Sequence, residues 1–593
     1  MVISHQVLEA PALGPMQLSS EADEGRDTEP VLAADQIQAN IFPGFSKDNQ
    51  TLLFLRITDP KAFAVWIGDF IPFVATTERV LPVRRVIKAI RSQTGAEASS
   101  VKLAWANIAF SFQGLKKLES PGLKLDDFKD EAFKSGMLKR SATPKGDLGD
   151  PIGSGKLGDP ASWVVGGADS EADVVLILAG DDRDDLNQEV ARISGTLFRK
   201  VSAQGDLASS GVEILLRQDG ATLKGPLRGH EHFGFRDGIS QPGVRGKLPD
   251  GTFLTPSQNP LDAGQGKPGQ DLLWPGEFVF GYPGQDGTKD VGEPGVDPLT
   301  SKTRGAPEFA RNGSLLVFRR LRQNVGRFHR FLQGLAARFQ IDEDLVGARM
   351  VGRWSSGAPA VVTPNADDPI LADNDCKNNN FEFDTPTGPP TPRPPAPGDC
   401  TGVTPPPNDP AGVKVPFAGH IRKAYPRNDR NPAIPQINES TTQTHRLMRR
   451  GIPFGEQSTS TAHRPEDDDA DRGLLFLAYQ SSIIEQFEFV TQTWVNNPNF
   501  KKNEVGFDPI IGQNSGNAGR VRQFNLNLPG ETQPISTDQE WVFATGGGYF
   551  FAPSIKALQQ LAGIAADAQS KKEPKAGAQA TTGKAKAQKK RKR

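Results

Sequence analysis

The sequence predicts an α+β fold built from two ferredoxin-like halves, on three observations. Hydrophobic segments in the first part of the chain follow the order β-α-β-β-α-β; the same order returns in the second part; and no apolar run is long enough to replace a sheet by a membrane span. Each half is expected to be an antiparallel sheet with helices on one face.

The first half opens with the strand TLLFLRI (Thr51 to Ile57), after which Asp59 and Pro60 supply an N-cap and a first-turn proline for a helix through FAVWIGDFI. Strand-like WANIAFSF (Trp105 to Phe112) and ADVVLILAG (Ala172 to Gly180) follow. Next come a helical stretch, DLNQEVARISGTLFRKV, and a strand, GVEILLRQ (Gly211 to Gln218). In the second half SLLVFRRLRQ reads as a strand, and NVGRFHRFLQGLAARF sets Val325, Phe328, Phe331, Leu332, Leu335 and Phe339 at helical spacing. After a long insertion, HRLMRRGIPF and GLLFLAYQ read as strands, SSIIEQFEFVTQTW as a helix and EWVFATGGGYFFAPS as the closing strand.

A chain of 593 residues exceeds one ordinary core, so two packed domains with insertions and tails are expected. Residues 1–36 are polar and acidic and read as a disordered leader, 37–222 as the first ferredoxin-like domain, 223–568 as the second, and 569–593 as a disordered basic tail. Within the second domain, 384–410 is too proline-rich for sheet or helix and reads as an exposed loop. Residues 571–593 hold ten Lys or Arg against one Glu, so a total charge of −1 conceals a body of about −10. The N-terminus has no basic start and no continuous apolar core of the secretory kind, which gives a cytoplasmic expectation. Cys376 and Cys400 cannot make a disulfide scaffold or a four-cysteine metal site; one loop-closing disulfide and two unrelated thiols remain equal readings.

Seven histidines exist, and placement separates them. His5 lies in the leader, His329 on an amphipathic helix and His463 in a polar loop, which leaves His230, His232, His420 and His445 as candidates. His230-Glu231-His232 has the alternate spacing of a strand metal site, though spacing marks no third ligand. In the following GFRDGISQPG, Gly234 and Gly238 bracket Asp237 in a turn, where backbone can approach closely around one carboxylate. His420 sits in FAGHIRKAYPRND beside Arg422, Lys423 and Arg427. An imidazole there suits the iron of a haem and the guanidinium groups suit its propionates, while a basic surface patch with an incidental histidine explains the segment equally well.

Together, EHFGFRDGISQPG, HIRKAYPR, RLMRRGIPFG, GFDPIIGQ and WVFATGGGYFFAPSI, in that order, resemble the signature segments of the dye-decolorizing (DyP-type) haem peroxidases, with similarity over roughly residues 37 to 565. The resemblance implies the duplicated ferredoxin-like fold, here arranged as the family's dimeric α+β barrel-like fold, and one haem b per chain. It implies hydrogen peroxide as acceptor, and phenolic, dye-like or other aromatic donors oxidised through a ferryl intermediate. Carried over, Asp237 matches the distal acid, His420 the proximal iron ligand and Arg449 the distal arginine, with Arg450 as the alternative. Arg422 matches a propionate-binding position. Asp508 matches the carboxylate behind the proximal imidazole, with Glu485 as the weaker candidate. Leu474 and Phe476 would shape the distal pocket. Trp494 resembles a surface tryptophan that relays electrons in some fungal members, or is an ordinary packing residue. Some members carry Tyr where this chain has Phe454, so that tyrosyl route is absent. A carrier or sensor of haem without enzymatic activity is the competing reading on the same scaffold.

The residue types suit peroxide chemistry. A carboxylate can carry a proton between the two peroxide oxygens, a guanidinium can hold charge on the departing one, and a carboxylate on the second imidazole nitrogen strengthens the proximal ligand.

Overall fold

Four strands build the first half: β1 (Asn49–Ile57), β2 (Trp105–Phe110), β3 (Val174–Gly180) and β4 (Val212–Ala221), hydrogen-bonded in the order β2-β3-β1-β4 and antiparallel throughout. Between β1 and β2 lies helix α1 (Pro60–Phe70), where Asp59 caps the amides of Lys61 and Ala62. Helix α2 (Arg183–Leu197) lies between β3 and β4. The strands alternate as their pleat requires. Leu53, Leu55, Leu176 and Leu178 lie under Phe63, Trp66 and Ile67 of α1 and Leu186 and Val190 of α2, whereas Leu52, Phe54, Val175 and Ile177 join a second core.

The second half repeats this plan with β5 (Ser314–Gln323), β6 (Met448–Arg449) with β7 (Ile452–Phe454), β8 (Gly473–Gln480) and β9 (Val542–Ala552). Its order, β6/β7-β8-β5-β9, is that of the first half position for position, so the duplicated ferredoxin-like reading holds. The two half-sheets join where Phe551 of β9 pairs with Phe110 of β2. At the far ends β4 meets β7: a Cβ placed on Gly220 would lie 2.7 Å from Ile452 Cγ2 and 2.9 Å from the Pro453 carbonyl oxygen. The joined sheet thus curls into a barrel, with Phe54 of β1 packed across its interior 4.8 Å from Phe318 of β5 and 6.4 Å from Phe550 of β9.

The structure is a computed structural model that describes residues 29–563 apart from 95–102, 121, 142–149, 198–199, 202–206, 209–210, 237, 256–265, 286–304, 386–405, 431–438, 515–519 and 529–530. Asp237, Cys400, the basic tail, most of the proline-rich stretch and residues 1–28 of the leader lie outside that set. Residues 29–36, expected to belong to a disordered leader, are packed: Glu29 is buried against Arg245, and Leu32 and Ala34 enter the barrel-side core. Their small apolar content is enough because Tyr282 and Lys247 supply partners to their backbone.

Three elements differ from expectation. The helix before β4 ends at Leu197, within the stretch read as helical to Val201. HRLMRRGIPF is not one strand: it breaks between β6 and β7 at Arg450 and Gly451, which turns neighbouring arginines in different directions. The segment before β9 is π-helical, over Ile483–Glu488 and Val490–Val495, a winding that periodicity alone does not distinguish from an α-helix.

In the second half the helices stand away from the outer sheet face. Helix α3 (Val325–Phe339) packs on Phe233, Phe235, helix α4 (Glu343–Val351) and the hairpin strands Arg522–Leu528 and Glu531–Thr537. Between those elements and the sheet lies the cavity described next.

Candidate active site

A cavity of about 280 Å³ is floored by alternate residues of three strands: Arg319, Leu321 and Gln323 of β5, Leu474 and Phe476 of β8, and Val542 and Ala544 of β9. These are the residues that the pleat turns away from the barrel interior. Leu474 and Phe476 thus face the cavity while Leu475 and Leu477 fill the barrel. Across from the sheet lie Val351 of α4, His420 and Ile421, Phe487, Val490 and Val495 of the π-helical segment, and Ile510 and Ile511.

His420 begins a short helix, α5 (His420–Ala424), pressed against the end of α4. Gly352 ends α4 at φ +97°, and a Cβ there would come within 2.4 Å of Ile421 Cγ1. The left-handed turn and the close approach both require glycine, and together they set the position of α5. The imidazole Nδ1 lies 2.8 Å from Asp508 Oδ2, and Asp508 is fully buried, its Oδ1 accepting the amides of Ile510 (2.8 Å) and Ile511 (2.9 Å). Burial acts to raise the Asp508 pKa, but the charge and hydrogen bond of His420 and the two amides outweigh it and hold the carboxyl below the usual range. With Nδ1 committed, Nε2 is the ring nitrogen through which His420 can ligate a metal. Glu485, the other carboxylate considered for this position, instead meets His445, through its backbone carbonyl.

The break between β6 and β7 separates the two arginines. Arg449 lines the cavity; its amide donates to Gln241 Oε1 at 3.3 Å and its Nη2 to the Ser240 carbonyl at 3.2 Å. Arg450 turns the other way, donating Nε to the Asn40 carbonyl and Nη2 to that of Ile41, and is a clamp on the N-terminal segment. Asp237 lies outside the described residues. Ser240, three positions later in the same loop, lines the cavity and holds Arg449.

Two expected site residues have other surroundings. Arg422 does not line the cavity. It is 1% exposed, its Nε 2.7 Å from Asp429 Oδ2 and its Nη2 3.1 Å from Asp429 Oδ1, while Nη1 donates to the carbonyls of Asp409 and Val415. The propionate role is corrected to that of a buried structural ion pair. Arg422→Ala should therefore cost about 3–5 kcal/mol of stability by stranding Asp429, read as a lower denaturant midpoint. An unchanged midpoint with weakened haem binding would return Arg422 to the cofactor.

Trp494 is no surface residue: 2% exposed, it stacks on Phe500 at 5.2 Å and meets His445 and Phe489 edge-on. The surface-relay expectation is corrected to packing. Trp494→Phe should cost about 1–3 kcal/mol and leave the ratio of bulky-dye to small-phenol turnover unchanged; a selective loss of bulky-dye turnover would restore the relay. The His-x-His metal reading also fails. His232 is buried with Nε2 on the Phe454 carbonyl, and burial lowers its pKa to about 4, whereas His230 is half-buried with its Nδ1 on the Arg228 carbonyl. Among the described residues no group of three or more His, Cys, Asp or Glu could hold an ion.

Haem fits this lining. The walls are largely apolar, a histidine backed by a carboxylate offers Nε2, and the cationic side chains of Arg353, Arg427 and Arg446 line the same cavity, where they could meet anionic propionates. Arg353 and Arg427 are already engaged by backbone carbonyls and Asn379. Arg446 has a buried Nε without a hydrogen bond among the described residues, the Asp271 carboxylate lying 3.9 Å away. A propionate would satisfy it. Sequence reasoning did not single out Arg446, or Tyr425 beneath it, although both lie inside the signature segments RLMRRGIPFG and HIRKAYPR.

Comparison with known proteins bears on this geometry. Residues 36–210 match the family model described as the DyP dimeric alpha+beta barrel domain. The chain is 32% identical over 578 residues to dye-decolorizing peroxidase msp1 of Mycetinis scorodonius, covering 95% of this chain and 94% of that protein. The chain belongs to the dye-decolorizing peroxidase family. It is 32% identical to dye-decolorizing peroxidase AauDyP1 of Auricularia auricula-judae over 89% of this chain and 86% of that one. Among solved structures, an ancestral D-type dye-decolorizing peroxidase superposes with TM-score 0.69 at 33% identity, covering 89% of this chain and 99% of that one. The fungal DyP-type peroxidase from Auricularia auricula-judae gives 0.64 at 31% identity, over 90% and 99%. The protein is thus a peroxidase, of a family that implies a haem cofactor, and the non-enzymatic carrier reading falls away.

Proposed function

We propose that this dye-decolorizing peroxidase binds one haem b per chain through His420 Nε2 and uses hydrogen peroxide to oxidise phenolic and other aromatic donors small enough to reach the cavity. The observation that carries the proposal is the 2.8 Å contact of His420 Nδ1 with buried Asp508 in a cavity that Arg449 also lines. Bound haem supplies the redox iron. Asp508 accepts the Nδ1 proton of His420, orients the ring and gives it anionic character. Arg449, fixed by Ser240 and Gln241, offers its guanidinium to the charge that builds on the departing peroxide oxygen, in a site where apolar walls exclude water. Asp237 is assigned, from its signature segment, the transfer of a proton between the two peroxide oxygens. Arg446 offers Nε to a propionate.

The donor range follows from the aromatic residues. All seven tryptophans and all four tyrosines lie among the described residues, and every one except Tyr425 is buried, so no indole or phenol stands on the outer surface to take an electron from a bulky dye. Donors must reach the cavity.

Cys376 is disulfide-bonded and the only other cysteine is Cys400, which points to folding in an oxidising compartment rather than the cytoplasm first expected.

The test is the visible spectrum of the haem-loaded protein before and after one equivalent of hydrogen peroxide, followed by turnover of a small phenol and of an anthraquinone dye. A Soret band that moves on peroxide and returns with the phenol, with the dye turned over much more slowly, is the expected result. An unmoved band defeats the peroxide reading, and equal turnover of both donors defeats the size limit.

A further inference from the structure

Tyr425 is the only tryptophan or tyrosine among the described residues lining the cavity. It lies just past the end of α5, five positions after His420, and its hydroxyl donates a short hydrogen bond to the Asp271 carboxylate. Its ring is covered by the Arg446 guanidinium, 3.5 Å from the centroid, and Arg427 stands 5.6 Å away. None of these contacts is needed for packing a tyrosine; a buried carboxylate aimed at a phenol is a proton acceptor.

We propose that Tyr425 is a redox-active residue of the cavity: when no donor is present it gives one electron to the peroxide-oxidised haem and its phenolic proton to Asp271, becoming a neutral phenoxyl radical. The O–H bond of Tyr425 breaks, the haem is reduced by one electron, and Asp271 becomes a carboxylic acid. An aromatic donor entering the cavity restores the phenol by returning an electron, with the proton coming back from Asp271. The inference rests on the haem-peroxidase reading above.

Electrostatics favours the coupled route. A guanidinium stacked on the ring opposes a second positive charge there, so loss of an electron without loss of the proton is disfavoured. Burial, and then the Asp271 carboxylate, hold the phenol well above its ordinary pKa, so the proton stays until the electron leaves. Asp271 is itself buried, with Arg446 Nε 3.9 Å from its carboxylate. The cavity side of the ring remains partly exposed, which is where a donor can meet it.

The experiment is rapid freezing of the haem-loaded protein after peroxide, without donor, for electron paramagnetic resonance, with a parallel spin-trap reaction mapped by peptide mass spectrometry. The expected result is a radical signal that narrows when the protein carries ring-deuterated tyrosine, and a trap adduct on Tyr425. Tyr425→Phe should abolish both while retaining haem, and Asp271→Asn should reduce the yield. Adduct mapping in the unmutated protein does not depend on either variant folding. A tyrosine signal that survives Tyr425→Phe, an adduct confined to another residue, or peroxide consumption without any protein radical would overturn the assignment and leave the peroxidase reading intact. Failure of the haem to react with peroxide at all would overturn both.

Discussion

His420→Ala is expected to yield a folded protein that no longer retains haem. The substitution removes the nitrogen presented to the cavity and leaves Asp508 Oδ2, fully buried, without its 2.8 Å partner. An orphaned buried acceptor costs about 1–3 kcal/mol, so some stability is lost too, but the cores around Phe63, Phe54 and Phe328 do not involve His420 and hold the fold together. Reconstitution followed by the ratio of Soret to protein absorbance measures the loss, and added imidazole, which can occupy the vacated space and donate its N–H to Asp508 in place of His420, should restore part of it. Normal loading in the variant would move the ligand assignment away from His420.

Arg449→Leu is the second large effect. The variant should load haem normally but react with hydrogen peroxide about 10²–10³-fold more slowly, the usual effect of removing one preorganised donor to a developing negative charge. Leucine preserves bulk against Leu474 and Phe476, so a slow reaction reports the lost guanidinium and not a collapsed cavity. Stopped-flow mixing with peroxide reads the rate directly. Arg450→Leu is the control: it releases the Asn40 and Ile41 carbonyls and should lower stability while leaving the peroxide reaction near its original rate. A wild-type rate in Arg449→Leu would remove Arg449 from the mechanism.

Much of the fold was legible because its elements obey simple periods. The alternation in GLLFLAYQ, with Leu474 and Phe476 on one face and Leu475 and Leu477 on the other, needs only the pleat of a strand. The duplicated strand order followed from repeating the element order. What could not be read was which surface each charged side chain meets. Arg422 and Arg446 look alike in sequence, yet Asp429 and Asp409 bury the first in an ion-pair cluster, whereas the second follows the turn after Glu439–Gln443 and lines the cavity. The separation of Arg449 from Arg450 depends on the interruption at Gly451, and the burial of Trp494 on Phe489 and Phe500, residues whose approach depends on π-helical winding and on a loop. Such contacts are set by tertiary packing, which a linear pattern does not encode. The residues of the proximal pair, His420 and Asp508, are 88 positions apart, and only family resemblance could suggest that they meet.

The meeting of β4 with β7 also has a consequence for self-association. An open nine-stranded sheet would present unsatisfied amides along both outermost strands, inviting another chain to add to it. Curling brings those two margins together at Gly220, where the missing side chain lets the Ile452 methyl and the Pro453 carbonyl approach. Proline at that position has no amide hydrogen to offer a newcomer. The seam is therefore shut by shape and blunted by chemistry, and the exposed Glu213, Arg217 and Asp219 of β4 add charge along the same margin, so that sheet-to-sheet polymerisation between copies is discouraged.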